Sequence, residues 1–330
     1  MAIFQNSLYP KIITLIKPLL LITGFFLLVF QQYIYPIPVQ VQFFLFLTGI
    51  ILLGVPHGAA DLLIATKHAG DEHIKFSSTK FFINYLSRLM LFAVILYFLP
   101  LLGNLLFIFF AAYHFGETDL NQFKTNSLPG KLFVVSYGLV ILGVILLNHF
   151  EEVKPLLMQF NAGVQHTDFI NWIDQHRYII LSAFGLLFFT STFIYFAVNT
   201  NNQQHLQGQF LVQFALIIFI LYKLPMILGF TFYFVVWHSL LSLRNIVGYL
   251  RKDGLFSFVQ ITRQIGLYSV LAIAGTVLFG LTGIMFINND AIIVYVFLGL
   301  AVLTAPHMQI MHDMYNSIRI KSSAAAAASQ

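Results

Sequence analysis

The chain has 330 residues, of which 59% are hydrophobic and only 9% charged, and its mean hydropathy is +0.84; soluble domains carry about 25% charged residues. These figures exclude a soluble globular enzyme and define a polytopic membrane protein. The formal charge of +5 serves first to orient loops, so nucleic acid is not an expected partner. No cysteine is present, which removes disulfides, thiolate metal sites and cysteine nucleophiles together and leaves histidine, carboxylate or water to hold any metal.

A spanning helix needs about 20 mostly apolar residues. Such runs lie near residues 12–30, 41–65, 80–101, 104–121, 131–149, 177–198, 209–226, 227–249, 264–286 and 291–318. Lys11 and Lys17 precede the stretch "PLLLITGFFLLVF" of the first run without an obvious small-residue cleavage site, which predicts a retained span. Pro225 and Gly229 divide the seventh run from the eighth. The polar connection from Glu151 to Arg177 predicts a short interfacial helix with Trp172 at headgroup level. The expected fold is all-α, a transmembrane bundle of about ten spans forming a single domain over 1–321, with 322–330 as a linker-like tail. With the N-terminus inside, only Lys154, Arg177 and Lys223 of the 17 basic residues fall outside. That asymmetry predicts that both termini are cytoplasmic.

Against this map the stretch "LGVPHGAADLLIA", Leu53 to Ala65, places His57 and Asp61 at the end of an apolar run. His114, His238, His307 and His312 also fall within even-numbered spans, where ionisable residues are rare and face a bundle interior. His57, His114, His238 and His307 each sit late in a span running inward, so the four imidazoles can share one depth. An unpaired imidazole costs several kcal/mol in hydrocarbon, and one metal ion satisfies all four. Neutral imidazole suits Fe, Zn, Cu or Ni without choosing among them. Asp61 follows His57 by four residues and Glu117 follows His114 by three, which places each carboxylate on its histidine's helix face. Either they fix the imidazole tautomers, or, with Asp119, they mark the cytoplasmic boundary and pair with Lys67 or Lys124. His312 lies about 140° round the helix from His307, as an outer group or a partner of Asp313.

The motifs "PHGAAD", "YHFGETD", "WHSLLSL" and "APHMQ", in this order, resemble the Brp/Blh family of β-carotene 15,15′-dioxygenases. The resemblance runs from about Val41 to Ser317, with its distinctive residues confined to those motifs. It implies a membrane-embedded non-haem Fe(II) site held by His57, His114, His238 and His307, using O₂ to split the central double bond of a carotenoid into two retinals. Family members carry a second histidine four residues after the one in the third motif, where this chain has Ser242; His307, with His312 behind it, is then the candidate fourth ligand. Phe109, Phe110, Tyr113, Phe115, Tyr233, Phe234 and Trp237 lie close in sequence to these histidines and are candidates for a polyene slot. The expected partners are a carotenoid, O₂ and membrane lipid, and the expected location is the cytoplasmic membrane of a prokaryote. Three other readings stay open: a metal-dependent lipid-modifying enzyme, a transporter with a carboxylate path, and a haem protein ligated by His57 and His114. A di-iron desaturase needs HxxxH or HxxHH pairs, which this chain lacks.

Overall fold

The computed structural model describes residues 5–158, 165–199, 204–252, 254–281 and 292–328. Among them the chain is helical throughout, with no strand. The helices are α1 (Gln5–Val29), α2 (Val39–Gly49), α3 (Val55–Gly58), α4 (Asp61–Asp71), α5 (Ser78–Phe98), α6 (Pro100–Asp119) and α7 (Leu128–Leu146). They continue with α8 (Phe150–Leu157), α9 (Thr167–Val198), α10 (Gln204–Lys223), α11 (Met226–Phe230), α12 (Ser239–Arg251), α13 (Phe258–Leu281) and α14 (Ile292–Ala328). Three π-helical stretches are spliced between them, at Phe30–Ile34, Ile50–Gly54 and Thr231–His238.

Seven helical segments among the described residues are long and apolar enough to cross a membrane: Ile16–Ile34, Val39–Asp71, Ser78–Phe98, Leu128–Leu146, Thr167–Val198, Met226–Arg251 and Phe258–Leu278. The other three runs picked out in the sequence are helical but fall outside that set. One of them, Gln207–Lys223, is short. The other two are α6, with Glu117 and Asp119 near its end, and α14, with His307, His312, Asp313 and Arg319. The interfacial helix expected before Arg177 is not separate: α9 is continuous for 32 residues from Thr167. Trp172 stacks on His176 in its first turns, with centroids 4.7 Å apart. Glu151 and Lys154 of α8 pair there with Arg177 and Asp174 at 2.9 and 2.8 Å, which holds the polar segment in line with the span.

The core is a slab of aromatic and aliphatic side chains in which Phe133, Tyr137, Phe188 and Phe214 interlock α7, α9 and α10. A smaller cluster of Leu63, Ile64, Ile246, Met311 and Tyr315 seats α14 on α4 and α12. In a bilayer, helix association gains little from excluding water and relies on close backbone approach at small residues. The α6–α7 pair shows this at two places: a Cβ on Gly116 would collide with the Val134 carbonyl, and one on Gly138 with the Ala112 carbonyl. Because both obstacles are backbone, neither contact relaxes by a side-chain rotation.

Gly116→Ala and Gly138→Ala are therefore expected to force α6 from α7 and lower the thermal midpoint of the detergent-purified protein by several degrees or abolish its expression. Gly266→Ala on α13 has open space around it and should leave the midpoint unchanged or slightly raised. Equal behaviour of all three variants would contradict the close-packed pair.

Candidate metal centre

Each of the four histidines in question is delivered by an irregularity or a crowded contact. The span Val39–Asp71 passes from α2 through the π-helical Ile50–Gly54 into the four-residue α3, breaks at Ala59–Ala60 and resumes as α4. Pro56, which has no N–H to continue a regular ladder, lies in α3 beside His57. His238 ends the third and longest of the π-helical stretches described, whose wider turn offsets it from the register of α11. There Ser239 Oγ donates to the Phe234 carbonyl at 2.8 Å, occupying an acceptor within the widened stretch. His114 sits on α6 two residues before the Gly116 contact, and His307 follows Pro306 inside α14.

These four side chains meet in one buried cluster, none more than 5% exposed. Going round it, ring centroids are separated by 5.4 Å for His57 and His238, 4.8 Å for His238 and His114, 5.0 Å for His114 and His307, and 5.1 Å for His307 and His57. Across it, His57 and His114 lie 6.5 Å apart with nearly parallel rings. One nitrogen from each of His57, His114 and His238 can be chosen so that all three lie within 4.8 Å of one another; His307 stands just outside that triplet. Nε2 of His114 and Nε2 of His238 are 3.1 Å apart. Two cis ligands about 2.1 Å from one ion have nearly that separation. Each ring keeps a nitrogen without a hydrogen-bond partner: Nδ1 in His57, His114 and His238, and Nε2 in His307. Four imidazoles meeting in a dry bundle, two of them with Nε2 atoms already at cis-ligand separation, are a donor set that fits a metal ion such as iron.

His307 is the best oriented of the four. Its Nδ1 donates to Asp61 Oδ1 at 2.8 Å, which leaves Nε2 as the lone-pair nitrogen, and Tyr85 donates to Asp61 Oδ2 at 3.0 Å. Asp61 thus serves the histidine of the last helix, 246 residues away, rather than its own neighbour His57. Glu117 likewise turns from His114. Its Oε1 accepts from Arg319 Nη2 at 2.7 Å and from His312 Nδ1 at 2.9 Å. His312 Nε2 accepts from Asn316 Nδ2 at 2.8 Å, so both its nitrogens are engaged and it stands apart from the cluster. Its partner is Glu117; Asp313 is bonded instead by Gln309 at 3.1 Å. Ser242 is fully buried, and its Oγ has no hydrogen-bond partner.

Asp119, read in the sequence as a boundary carboxylate, is only 4% exposed and acts as a clamp. Its Oδ2 accepts from Tyr137 at 2.7 Å, Trp237 at 2.9 Å and Tyr233 at 3.0 Å. The carboxylate therefore ties α6, which carries His114, to the π-helical stretch that ends in His238. The aromatic residues proposed for one slot separate into three places. Phe115 and Phe234 pack on His238 at 4.6 and 6.0 Å, Tyr233 and Trp237 are held by Asp119, and Phe109, Phe110 and Tyr113 line an open groove outside the cluster. Tyr85 and Arg319 were not singled out in the sequence. Arg319 lies one residue past the last apolar run, and Tyr85 carries no local signal at all.

The molecule is thus a helical membrane protein built round a buried, metal-competent histidine centre. A match to the β-carotene 15,15′-dioxygenase family covers residues 48–315, and the chain belongs to that family. Membership makes it an oxygenase. It is similar to a β-carotene 15,15′-dioxygenase of uncultured marine bacterium 66A03, 27% identical over 290 residues that span 82% of this chain and 94% of the relative. No solved structure matches it.

Asp119→Ala would orphan three buried donors, each worth about 1–3 kcal/mol, so the thermal midpoint should fall by many degrees and Trp237 emission should change. Tyr137→Phe removes one donor and should lower stability by about 1 kcal/mol. A wild-type melting profile for Asp119→Ala would rule out the clamp.

Proposed function

We propose that the chain is a non-haem Fe(II) oxygenase that splits the central double bond of β-carotene with O₂ to give two retinals. The observation that carries this reading is the cluster of four buried imidazoles with unpartnered nitrogens, lying wholly inside the family match. The ligands are His57, His114, His238 and His307. Ser242 stands four residues after His238 in the third motif, and His307 brings the fourth imidazole from α14. Asp61 holds His307 in the tautomer that presents Nε2, and Tyr85 holds Asp61. Glu117 and His312 brace the cytoplasmic ends of α6 and α14 against each other.

A bound ferrous ion would supply O₂ binding and electron transfer. The protein's share is position and exclusion. Phe115 and Phe234, already packed on His238, form apolar walls for the polyene, and the buried cluster keeps bulk water from the reacting bond. The bond between the two central carbons breaks, each carbon becomes an aldehyde, and one O₂ balances both carbonyl oxygens, so no side chain has to deliver a proton or act as a nucleophile. The substrate is a bilayer-soluble hydrocarbon, consistent with a site embedded among spans. The full topology we propose is ten spans with both termini cytoplasmic, in the cytoplasmic membrane of a prokaryote.

His57→Ala, His114→Ala, His238→Ala and His307→Ala should each abolish both stoichiometric iron, measured by elemental analysis, and retinal formation from β-carotene, measured chromatographically. His312→Ala should keep its iron. Asp61→Asn should weaken iron binding by about 10–100-fold. Normal iron and turnover in any of the four alanine variants would remove that residue from the ligand set. Unchanged carotenoid beside full iron would reject the substrate.

Accessibility labelling gives a separate check on topology: a cysteine introduced at Lys124 should react only from the cytoplasmic side and one at His166 only from outside. Reaction of both from one side would refute the span order.

A further inference from the structure

The open groove of about 740 Å³ between α5, α6, α7 and α14 contains none of the four histidines. It is built by one face of each helix. Residues 88, 91, 92 and 95 of α5, residues 106, 109, 110 and 113 of α6, and residues 305, 308, 309 and 312 of α14 repeat at intervals of i, i+3, i+4 and i+7. Neither His114 nor His307 lines the groove, which is open, whereas both histidines are buried in the cluster. The groove is therefore a separate feature of the bundle.

Its lining is graded from end to end. Since α5, α6 and α7 follow one another as antiparallel neighbours, and α7 passes α6 with Val134 at Gly116 and Gly138 at Ala112, Ile95 and Leu106 lie at one end and Val135 at the other. Arg88, Tyr113 and Lys131 gather at the same end as Val135. The uncharged polar groups at that end are already engaged: His312 with Glu117 and Asn316, Tyr113 with His312, and Gln309 with Asp313. The two cations are not. Arg88 lies midway along α5, and neither it nor Lys131 is ion-paired among the described residues. Both side chains are exposed at the rim of the groove, Lys131 in the first turn of α7, and so are open to an anion. A hydrocarbon substrate would leave both charges unmatched.

We propose that this groove binds an anionic phospholipid of the surrounding bilayer, with the phosphate between Arg88 and Lys131 and an acyl chain along the Phe92–Phe110 stripe. The volume is in the range of specific ligand sites, roughly 300–1,000 Å³, and basic pockets between transmembrane helices bind such headgroups at about 1 kcal/mol per cation. The proposal does not depend on the metal or the reaction.

Native mass spectrometry of the full chain in detergent, titrated with dioleoyl phosphatidylglycerol or dioleoyl phosphatidylcholine, tests it. One phosphatidylglycerol should be retained in preference to phosphatidylcholine with identical chains. Affinity should fall about five-fold in Arg88→Gln or Lys131→Gln and about thirty-fold in the double variant. Ile95→Trp, which fills the apolar end and keeps both cations, should also lose the lipid, and millimolar inorganic phosphate should not displace it from the wild type. Unchanged elution and melting of the variants separates lost binding from misfolding. Equal retention of the two lipids, wild-type binding by the double variant, or displacement by phosphate alone would each overturn the proposal.

Discussion

Inside a bilayer a polar side chain has no water to fall back on, so each one buried between spans must be answered by a group on another helix. The bundle is organised by that requirement more than by its apolar surface, which is much alike on every helix and discriminates little between partners. Asp119 gathers three donors from two elements, Asp61 joins α4, α5 and α14, and Glu117 with Arg319 locks α6 to α14. Each of these carboxylates lies within a few residues of a clustered histidine on its own helix or anchors one from another, so the same bonds that choose helix neighbours also set the depth and rotation of the imidazoles.

The irregular backbone follows from the same demand. A regular α-helix through Thr231–His238 would place Tyr233, Trp237 and His238 at fixed 100° steps, and the π-helical turn relaxes those steps so that the first two reach Asp119 while the third reaches His114. Wider turns are less favourable for the backbone and persist where side-chain interactions hold them. Here three hydrogen bonds to one carboxylate and an imidazole contact do so.

How much of this could be read beforehand depended on whether the signal was local. Apolar run length gave the helical membrane class, and histidines inside such runs marked themselves because ionisable groups there are rare. The motif order pointed to the family that the comparison then established. Partners were legible only when sequence-adjacent. Spacing paired Asp61 with His57 and Glu117 with His114, whereas both carboxylates reach across to α14, because a helix face fixes direction and says nothing of which neighbour occupies it. For the same reason Tyr85 gave no warning, and aromatic residues adjacent in sequence dispersed to a clamp, a histidine wall and a groove. Seven helical segments among the described residues meet a strict criterion of length and composition; α6 falls short of it through the polar residues at its end that build the centre.

The bond between His307 and Asp61 has a consequence in time. The chain is made from its N-terminus, and Asp61, together with His57 and His114, is lodged in early helices long before residue 307 exists. Until the last helix inserts, that carboxylate lacks its imidazole and the cluster lacks a side. Closure of the histidine cluster therefore waits on α14, which works as a bolt: a nascent chain that stalls before it leaves polar groups open to lipid.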